Sequence, residues 1–252
     1  MGETNMKELY EYQELTEKMN RIVQKGWIKS VNNGDSGVGL TLENELGIHS
    51  EDFEIPDYGA IEIKAKKTNS EPYITLFGAA PDSYLYEIKR IHKEYGYPHS
   101  KYPQYKVFNI SIYGNKYVQT AKKYQYILYV DWHKEKVFMH VFDKLSGILI
   151  DNKCSWSFDM IKEKVYRKLK YLLFVKADRK YECDSVYYKY YDYIFYELKE
   201  FKSFLKAIDD GTIKITFKIN VFKSGKKAGQ IHDHGTSFDI MEQDLEKIYN
   251  KI

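Results

Sequence analysis

Only two cysteines occur in 252 residues, Cys154 and Cys183. That excludes a disulfide framework and makes a reducing compartment, the cytoplasm, the expectation. Five prolines are present, with no Pro/Ser-rich linker, internal repeat or low-complexity tail. No apolar run approaches the roughly 20 residues that a membrane-spanning helix needs, so no membrane partner is expected. Met1 to Glu14 is polar and acidic and does not read as a secretory signal. The glycine-rich stretch Gly34-Asp-Ser-Gly-Val-Gly39 lacks the Gly-Lys-Ser/Thr ending of a phosphate-binding loop and follows no apolar strand, which argues against an ATPase. No G-x-S-x-G elbow supports serine-hydrolase chemistry. A net charge of +3 is too small to declare a nucleic-acid partner by itself.

The chain is 43% hydrophobic and 30% charged, which suits a folded, soluble protein with a sizeable core. Its basic residues cluster. Lys64 to Lys67, Lys116 to Lys123 and Lys223 to Lys227 each hold several lysines and no acid. Twenty-five tyrosines could stack on bases or reach phosphates. An AT-rich genome would also enrich Tyr, Lys, Ile and Asn together, so the count assigns nothing.

Periodicity and turn chemistry predict a mixed α/β chain with a substantial antiparallel share. Met6 to Gln24 reads as an amphipathic helix stopped by Gly26, and Ser30 to Gly37 as a loop. Val38 to Leu46 reads as a short helix closed by Gly47, followed by an acidic loop from Ser50 to Gly59. Strands are expected at Ala60 to Lys67, Pro72 to Phe77, Val107 to Tyr113, Tyr124 to Asp131 and Lys136 to Phe142, the last two joined by a turn at Trp132 to Glu135. Tyr84 to Tyr95, Ser157 to Tyr171 and Phe201 to Ile208 read as helices. Leu172 to Leu198 is ambiguous, with period two in places and few breakers. Thr212 to Phe222 alternates most strictly, a loop is expected at Lys223 to Gln230, and Met241 to Ile252 reads as a terminal helix.

The sharpest chemical signal is Asp57-Tyr-Gly-Ala-Ile-Glu62-Ile-Lys64. Glu62 and Lys64 stand two apart on a strand and share a face, and Asp57 lies on the loop feeding that strand. Two carboxylates suit Mg²⁺, and a lysine beside them suits phosphodiester hydrolysis. A salt-bridged solvent face of an ordinary strand reads the same way.

The preceding segment, Gly37-Val-Gly-Leu-Thr-Leu-Glu43-Asn-Glu45-Leu-Gly47-Ile48, places Glu43 fourteen residues before Asp57. With the acidic loop and the D-x4-E-x-K stretch, it resembles the MvaI/BcnI family of type II restriction endonucleases and their relative MutH. A second segment, His232-Asp-His-Gly-Thr-Ser-Phe238, resembles the H-D-H-G-T-x-F stretch near the C-terminus of MvaI-like enzymes. The resemblance is motif-level over about Gly37 to Lys67 and Ile231 to Ile240.

It implies a PD-(D/E)XK core, with a mixed sheet flanked by helices and a catalytic lobe plus a recognition lobe. The whole of 1–252 would be one nuclease domain, roughly 1–110 with the catalytic motifs and roughly 111–252 largely recognition lobe. Asp57 and Glu62 would hold Mg²⁺, Lys64 would assist the water, and Glu43, or more weakly Glu45, would be an auxiliary acid. His232, Asp233 and His234 become candidates for DNA recognition, since imidazole can donate to or accept from base edges and aspartate can accept from cytosine N4. Lys66, Lys67, Lys223, Lys226 and Lys227 become candidates for phosphate contact. The implied partners are double-stranded DNA and, functionally, a cognate DNA methyltransferase; the implied state is a monomer.

Other readings stay open. The His-Asp-His segment could be a structural turn or, with Cys154 or Cys183, a zinc site, though the spacing fits no standard pattern. Tyr187 to Tyr196 could stack on bases or pack in the core. A MutH-like nicking enzyme of mismatch repair would share the active site, and a DNA-binding protein without catalysis would share the fold. His92, His99, His133 and His140 stand alone and carry no assigned role.

Overall fold

The computed structural model describes residues 3–48, 54–120 and 123–252. Part of the acidic loop, from Ser50 to Phe53, and Lys122 of the second basic segment lie outside them. The chain divides into two compact units. The first comprises residues 1–74, 165–199 and 249–252, the second 75–164 and 200–248. Residues 75–110 thus fall in the second unit and 165–199 in the first.

The first unit is built on a mixed sheet. Its order is Trp27–Lys29, Ser185–Leu198, Tyr171–Glu182, Ile61–Lys67, with Tyr249–Lys251 also paired to Ser185–Leu198. Ile61–Lys67 runs parallel to Tyr171–Glu182, with Glu62 opposite Leu172 and Lys64 opposite Phe174. The other pairings are antiparallel. Helices Glu3–Lys25 and Gly37–Leu46 pack on the sheet through a contiguous core. Leu15, Met19 and Ile22 from the first helix meet Val38, Leu42 and Leu46 from the second, over Ile61, Ile63, Leu173, Val175, Tyr188 and Tyr190. The odd positions of the Ile61–Lys67 strand therefore face the helices, and Glu62 and Lys64 face away from that core.

The ambiguous segment Leu172 to Leu198 is a long hairpin, Tyr171–Glu182 paired with Ser185–Leu198. Its turn residues Cys183 and Asp184 both have positive φ, 46° and 59°, the conformation of a tight I′-type connection. Cys-Asp lacks the Asn-Gly signature, so periodicity alone left the segment undecided. Tyr188 and Tyr190 point into the core, while Tyr191 is exposed and its hydroxyl lies 3.0 Å from Thr68 Oγ1. Half of the tyrosine-rich stretch is thus core packing.

The second unit contains two sheets. One has the order Ser155–Ser157, Lys136–Asp143, Tyr124–Asp131, Val118–Thr120, with Leu149–Asp151 beside Lys136–Asp143. The other runs Tyr73–Gly78, Ile231–Met241, Ile213–Val221, Lys106–Ile112, Tyr97–Pro98. Ile213, Ile215, Phe217, Ile219 and Val221 are all buried, as the strict alternation predicts. Helices Tyr84–Tyr95 and Phe201–Asp209 match their expected ranges closely, and Phe158–Lys168 is shorter than the predicted Ser157 to Tyr171 because Tyr171 opens a strand.

The expected terminal helix at Met241 to Ile252 is not formed. A strand runs to Met241, a 3-10 turn spans Glu242–Asp244, one helical turn covers Leu245–Ile248, and Tyr249–Lys251 joins the sheet of the first unit. Burying Tyr249 and pairing its backbone outweigh the local helical preference.

Leu42 is fully buried where the second helix meets the sheet. Leu42→Ala is expected to cost about 2–5 kcal/mol, read as a lower midpoint in urea unfolding of the DNA-free protein.

Candidate active site

Helix Gly37–Leu46 ends where Gly47 takes a left-handed φ of 74°; the Gly47 N–H bonds to Asn44 O and the Ile48 N–H to Glu43 O. Tyr190 ties the helix start to the sheet, its hydroxyl donating to Val38 O at 2.7 Å. Glu43 is half-buried on this helix. Glu45 is ion-paired with Lys25 at 2.6 Å, which leaves Glu43 as the acid that joins the group around Glu62.

Tyr58 and Ile61 exchange backbone hydrogen bonds of 3.0 and 2.8 Å, closing a tight turn through Gly59 and Ala60. Gly59 has φ +56°, where a residue with a Cβ is strained. The turn folds Asp57 back along the strand, and its Oδ2 accepts a hydrogen bond from the Ile63 N–H at 2.8 Å. Asp57 and Glu62 are thereby brought into one neighbourhood, as the sequence predicts.

Glu62 is wholly buried, and no backbone N–H donates to its carboxylate. Two ammonium groups face it instead: Lys64 Nζ at 2.5 Å and Lys168 Nζ at 3.5 Å from Oε1. Burial raises the Glu62 pKa, Asp57 adds to the rise, and Lys64 and Lys168 oppose it. Burial likewise raises Glu43, again with Asp57 adding and Lys64 and Lys168 opposing. Glu43, Asp57, Glu62, Lys64 and Lys168 therefore form one electrostatic group within the first unit. Tyr249, whose buried hydroxyl has no hydrogen-bond partner, adjoins it: burial and the Glu62 charge both push its pKa up.

Lys168 is the residue that the sequence did not reveal. It is the last residue of helix Phe158–Lys168, just before the strand that pairs with Ile61–Lys67. Its place follows from a parallel pairing between segments more than a hundred residues apart, and no local pattern marks it.

Among the described residues no three His, Cys, Asp or Glu side chains form a closed metal cage. The donor set suits a hard, partly hydrated cation: a buried carboxylate without a backbone hydrogen bond near a second one, with the balance of a coordination shell left to water and substrate oxygens.

The other predicted residues are distributed as follows. In the first unit, Lys66 Nζ lies 3.4 Å from Tyr73 O, and Lys67 Nζ 3.3 Å from Asp35 Oδ1. In the second, His232, Asp233 and His234 lie on the strand Ile231–Met241, not in a simple turn. Phe217 pairs with Thr236 and Ile219 with Asp233, so His234 and Gly235 bulge opposite Lys218, with Gly235 at φ +86°. His232 stacks on Phe222 with centroids 4.1 Å apart and planes 10° apart, and His234 lies 4.1 Å from His232. Asp233 accepts from the Tyr84 hydroxyl at 2.9 Å and from the Gly235 N–H at 3.0 Å. The zinc alternative finds no cysteine partner for these histidines among the described residues. Lys223, Lys226 and Lys227 stand on the exposed loop before this strand, with Lys227 over the Phe222 ring and Lys223 over Tyr102.

The raised Glu43 pKa fixes a stability signature. A carboxyl whose folded pKa exceeds its unfolded value contributes stability below the unfolded pKa and loses it as pH rises through the folded one. In EDTA, Glu43→Gln minus wild-type melting temperature is expected to grow as pH rises from 4.5 to 8. Thermal scans across that range check it.

Residues 16–249 match the model of the MvaI/BcnI restriction endonuclease family. The fold resembles restriction endonuclease MvaI in complex with its cognate DNA substrate, at a TM-score of 0.83 and 30% identity over 94% of this chain and 96% of that one. It also resembles restriction endonuclease MvaI in the absence of DNA, at a TM-score of 0.62 and 27% identity over 100% and 98%. No curated protein sequence matches the chain. With the family match spanning nearly its whole length, this chain belongs to the MvaI/BcnI restriction endonuclease family.

Proposed function

We propose that the chain is a type II restriction endonuclease that hydrolyses double-stranded DNA at a short specific site, with Mg²⁺ held by Asp57 and Glu62. The observation that carries the chemistry is the Glu62 carboxylate, wholly buried, without a backbone hydrogen bond, and held by the ammonium groups of Lys64 and Lys168. A bound divalent cation supplies positive charge to the phosphoryl group and acidifies a coordinated water.

The chain's own groups do the rest. Lys64 orients the attacking water and stabilises charge on the pentavalent phosphorus. Lys168 holds a second positive charge against the same carboxylate. Glu43, with its raised pKa, is the auxiliary acid that exchanges protons with water near the reacting phosphate. Water oxygen bonds to phosphorus as the bond to the 3′-oxygen breaks, leaving 5′-phosphate and 3′-hydroxyl ends. Lys66 and Lys67 of the catalytic unit contact the DNA backbone.

In the second unit His232, Asp233 and His234 read base edges, while Lys223, Lys226 and Lys227 hold phosphates and set register. The bulge at His234–Gly235 re-aims the strand at that point, a use to which bulges are often put. The enzyme works in the cytoplasm as a monomer, beside a cognate methyltransferase that protects the host site.

Unmethylated phage DNA incubated with the purified protein should give discrete fragments with Mg²⁺ and none with EDTA. Uncut DNA across several substrates would overturn the reading in favour of a partner-dependent nickase or a non-catalytic binder. Glu62→Ala should slow cleavage by about 10³-fold or more while DNA binding in EDTA persists. Binding titrations separate the recognition roles. His232→Ala should cost about 1–3 kcal/mol on the cognate site alone. Lys227→Ala should weaken all sequences alike and reduce the salt slope by about one.

A further inference from the structure

In helix Glu3–Lys25, Glu11, Leu15, Met19 and Ile22 are buried, so its core-facing stripe carries a carboxylate, Glu11, at 9% exposure. A carboxylate in a core-facing slot is costly unless strongly hydrogen-bonded. Its Oε2 accepts the Ala60 N–H at 3.0 Å. An ideal Cβ on Gly59 would lie 2.2–2.3 Å from the Glu11 carboxylate atoms, so the carboxylate sits directly against the Gly59–Ala60 turn. Two turns further along the helix, Lys18 Nζ lies 3.4 Å from the Tyr58 hydroxyl and 4.7 Å from the Tyr58 ring centre, and is itself paired with Glu14 at 3.0 Å. The helix thus grips three consecutive residues, Tyr58, Gly59 and Ala60. They lie between Asp57 and the strand that carries Glu62 and Lys64. Glu11 also precedes the residues that match the family model, 16–249.

We propose that Glu11 is a positioning residue: its buried carboxylate clamps the Gly59–Ala60 turn and so fixes Asp57 against Glu62 at the spacing a divalent cation requires. This rests on the reading of Asp57 and Glu62 as the cation's ligands. Glycine at 59 is part of the same device, because only a residue without a Cβ leaves room for the carboxylate and adopts the turn's left-handed φ. A cavity of about 370 Å³ lies beside the clamp, with Glu11, Ala60, Ile61 and Phe195 among its walls. A shortened side chain at position 11 would enlarge that space, leaving the turn unsupported on that side.

The test titrates Mg²⁺ and Mn²⁺ into the DNA-free full-length protein by calorimetry, with DNA binding in EDTA and thermal unfolding measured in parallel. Glu11→Ala is expected to weaken cation binding by about tenfold or more, the range typical of outer-sphere partners. It should leave DNA affinity in EDTA unchanged. Glu11→Gln keeps an oxygen for the Ala60 N–H and should recover most of the affinity. Wild-type cation affinity in Glu11→Ala, or a Gln variant no better than Ala, overturns the proposal. Should Glu11→Ala fail to fold, Gly59→Ala serves instead: a crowded carboxylate should weaken cation binding as strongly, and wild-type affinity there overturns the proposal equally. Asp57→Ala is the control. If it binds the cation as wild type does, the assignment of Asp57 has failed, whatever Glu11 does.

Discussion

The structure of the first unit depends on keeping a carboxylate, Glu62, in a dry place. An isolated ionised carboxylate is prohibitively expensive in such surroundings, so it must be neutralised by protonation or by opposite charge. Glu62 meets both conditions in part: burial raises its pKa, and Lys64 and Lys168 stand against it. Lys64 comes from the same strand two residues on. Lys168 arrives only because Tyr171–Glu182 runs parallel to Ile61–Lys67, and a parallel pairing requires a crossover. Here that crossover contains residues 75–164, a large part of the second unit. The discontinuity of the two units and the charge balance at Glu62 are consequences of one pairing.

What the sequence made legible follows the range of the forces involved. The strand Ile213–Val221 alternates because one face is buried along its whole length, and alternation is visible in the residues themselves. The hairpin through Trp132 to Glu135 and the helix closed by Gly47 are equally local, set by turn chemistry and a left-handed cap. Glu62 and Lys64 share a face by strand geometry, and Asp57 reaches them through a four-residue turn, so the core of the site could be read in order along the chain. Lys168, Tyr249 and Glu11 could not. Each is placed by a contact far away in sequence, and no spacing rule connects them to Glu62. The C-terminal segment fails for the same reason: Leu245–Ile248 is helical for one turn, and then a distant strand claims Tyr249–Lys251.

The second unit shows how polar side chains can be held ready before a ligand arrives. Arg90 is buried between Glu87, Glu94 and Asp151, and Tyr95 donates to the same Asp151 carboxylate. That cluster fixes the helix Tyr84–Tyr95, whose first residue donates to Asp233. His232 is held between Phe222 and His234 by ring contacts. Side chains already ordered lose less entropy on binding, so more of each contact appears as affinity or discrimination. Asp233 accepts one hydrogen bond from Tyr84 and one from Gly235, and a carboxylate has lone pairs beyond these two, which the proposed recognition role would use to accept from a base.

On the proposed function, the charges around Glu62 make cation and DNA depend on each other. Glu43, Asp57 and Glu62 stand against Lys64 and Lys168, three carboxylates to two ammonium groups. Fully ionised, the group is left with one negative charge, in surroundings that screen it poorly. That charge repels a phosphodiester, and burial, more than charge, shifts Glu43 and Glu62 toward protonation. A divalent cation reverses the sign and leaves one positive charge, and a phosphodiester anion then restores neutrality. Cation and substrate thus each relieve the imbalance that the other would create alone, and by linkage each must tighten the other's binding. A chain with a fourth carboxylate in this group, or without Lys168, would lose that balance while keeping every residue of the D-x4-E-x-K motif.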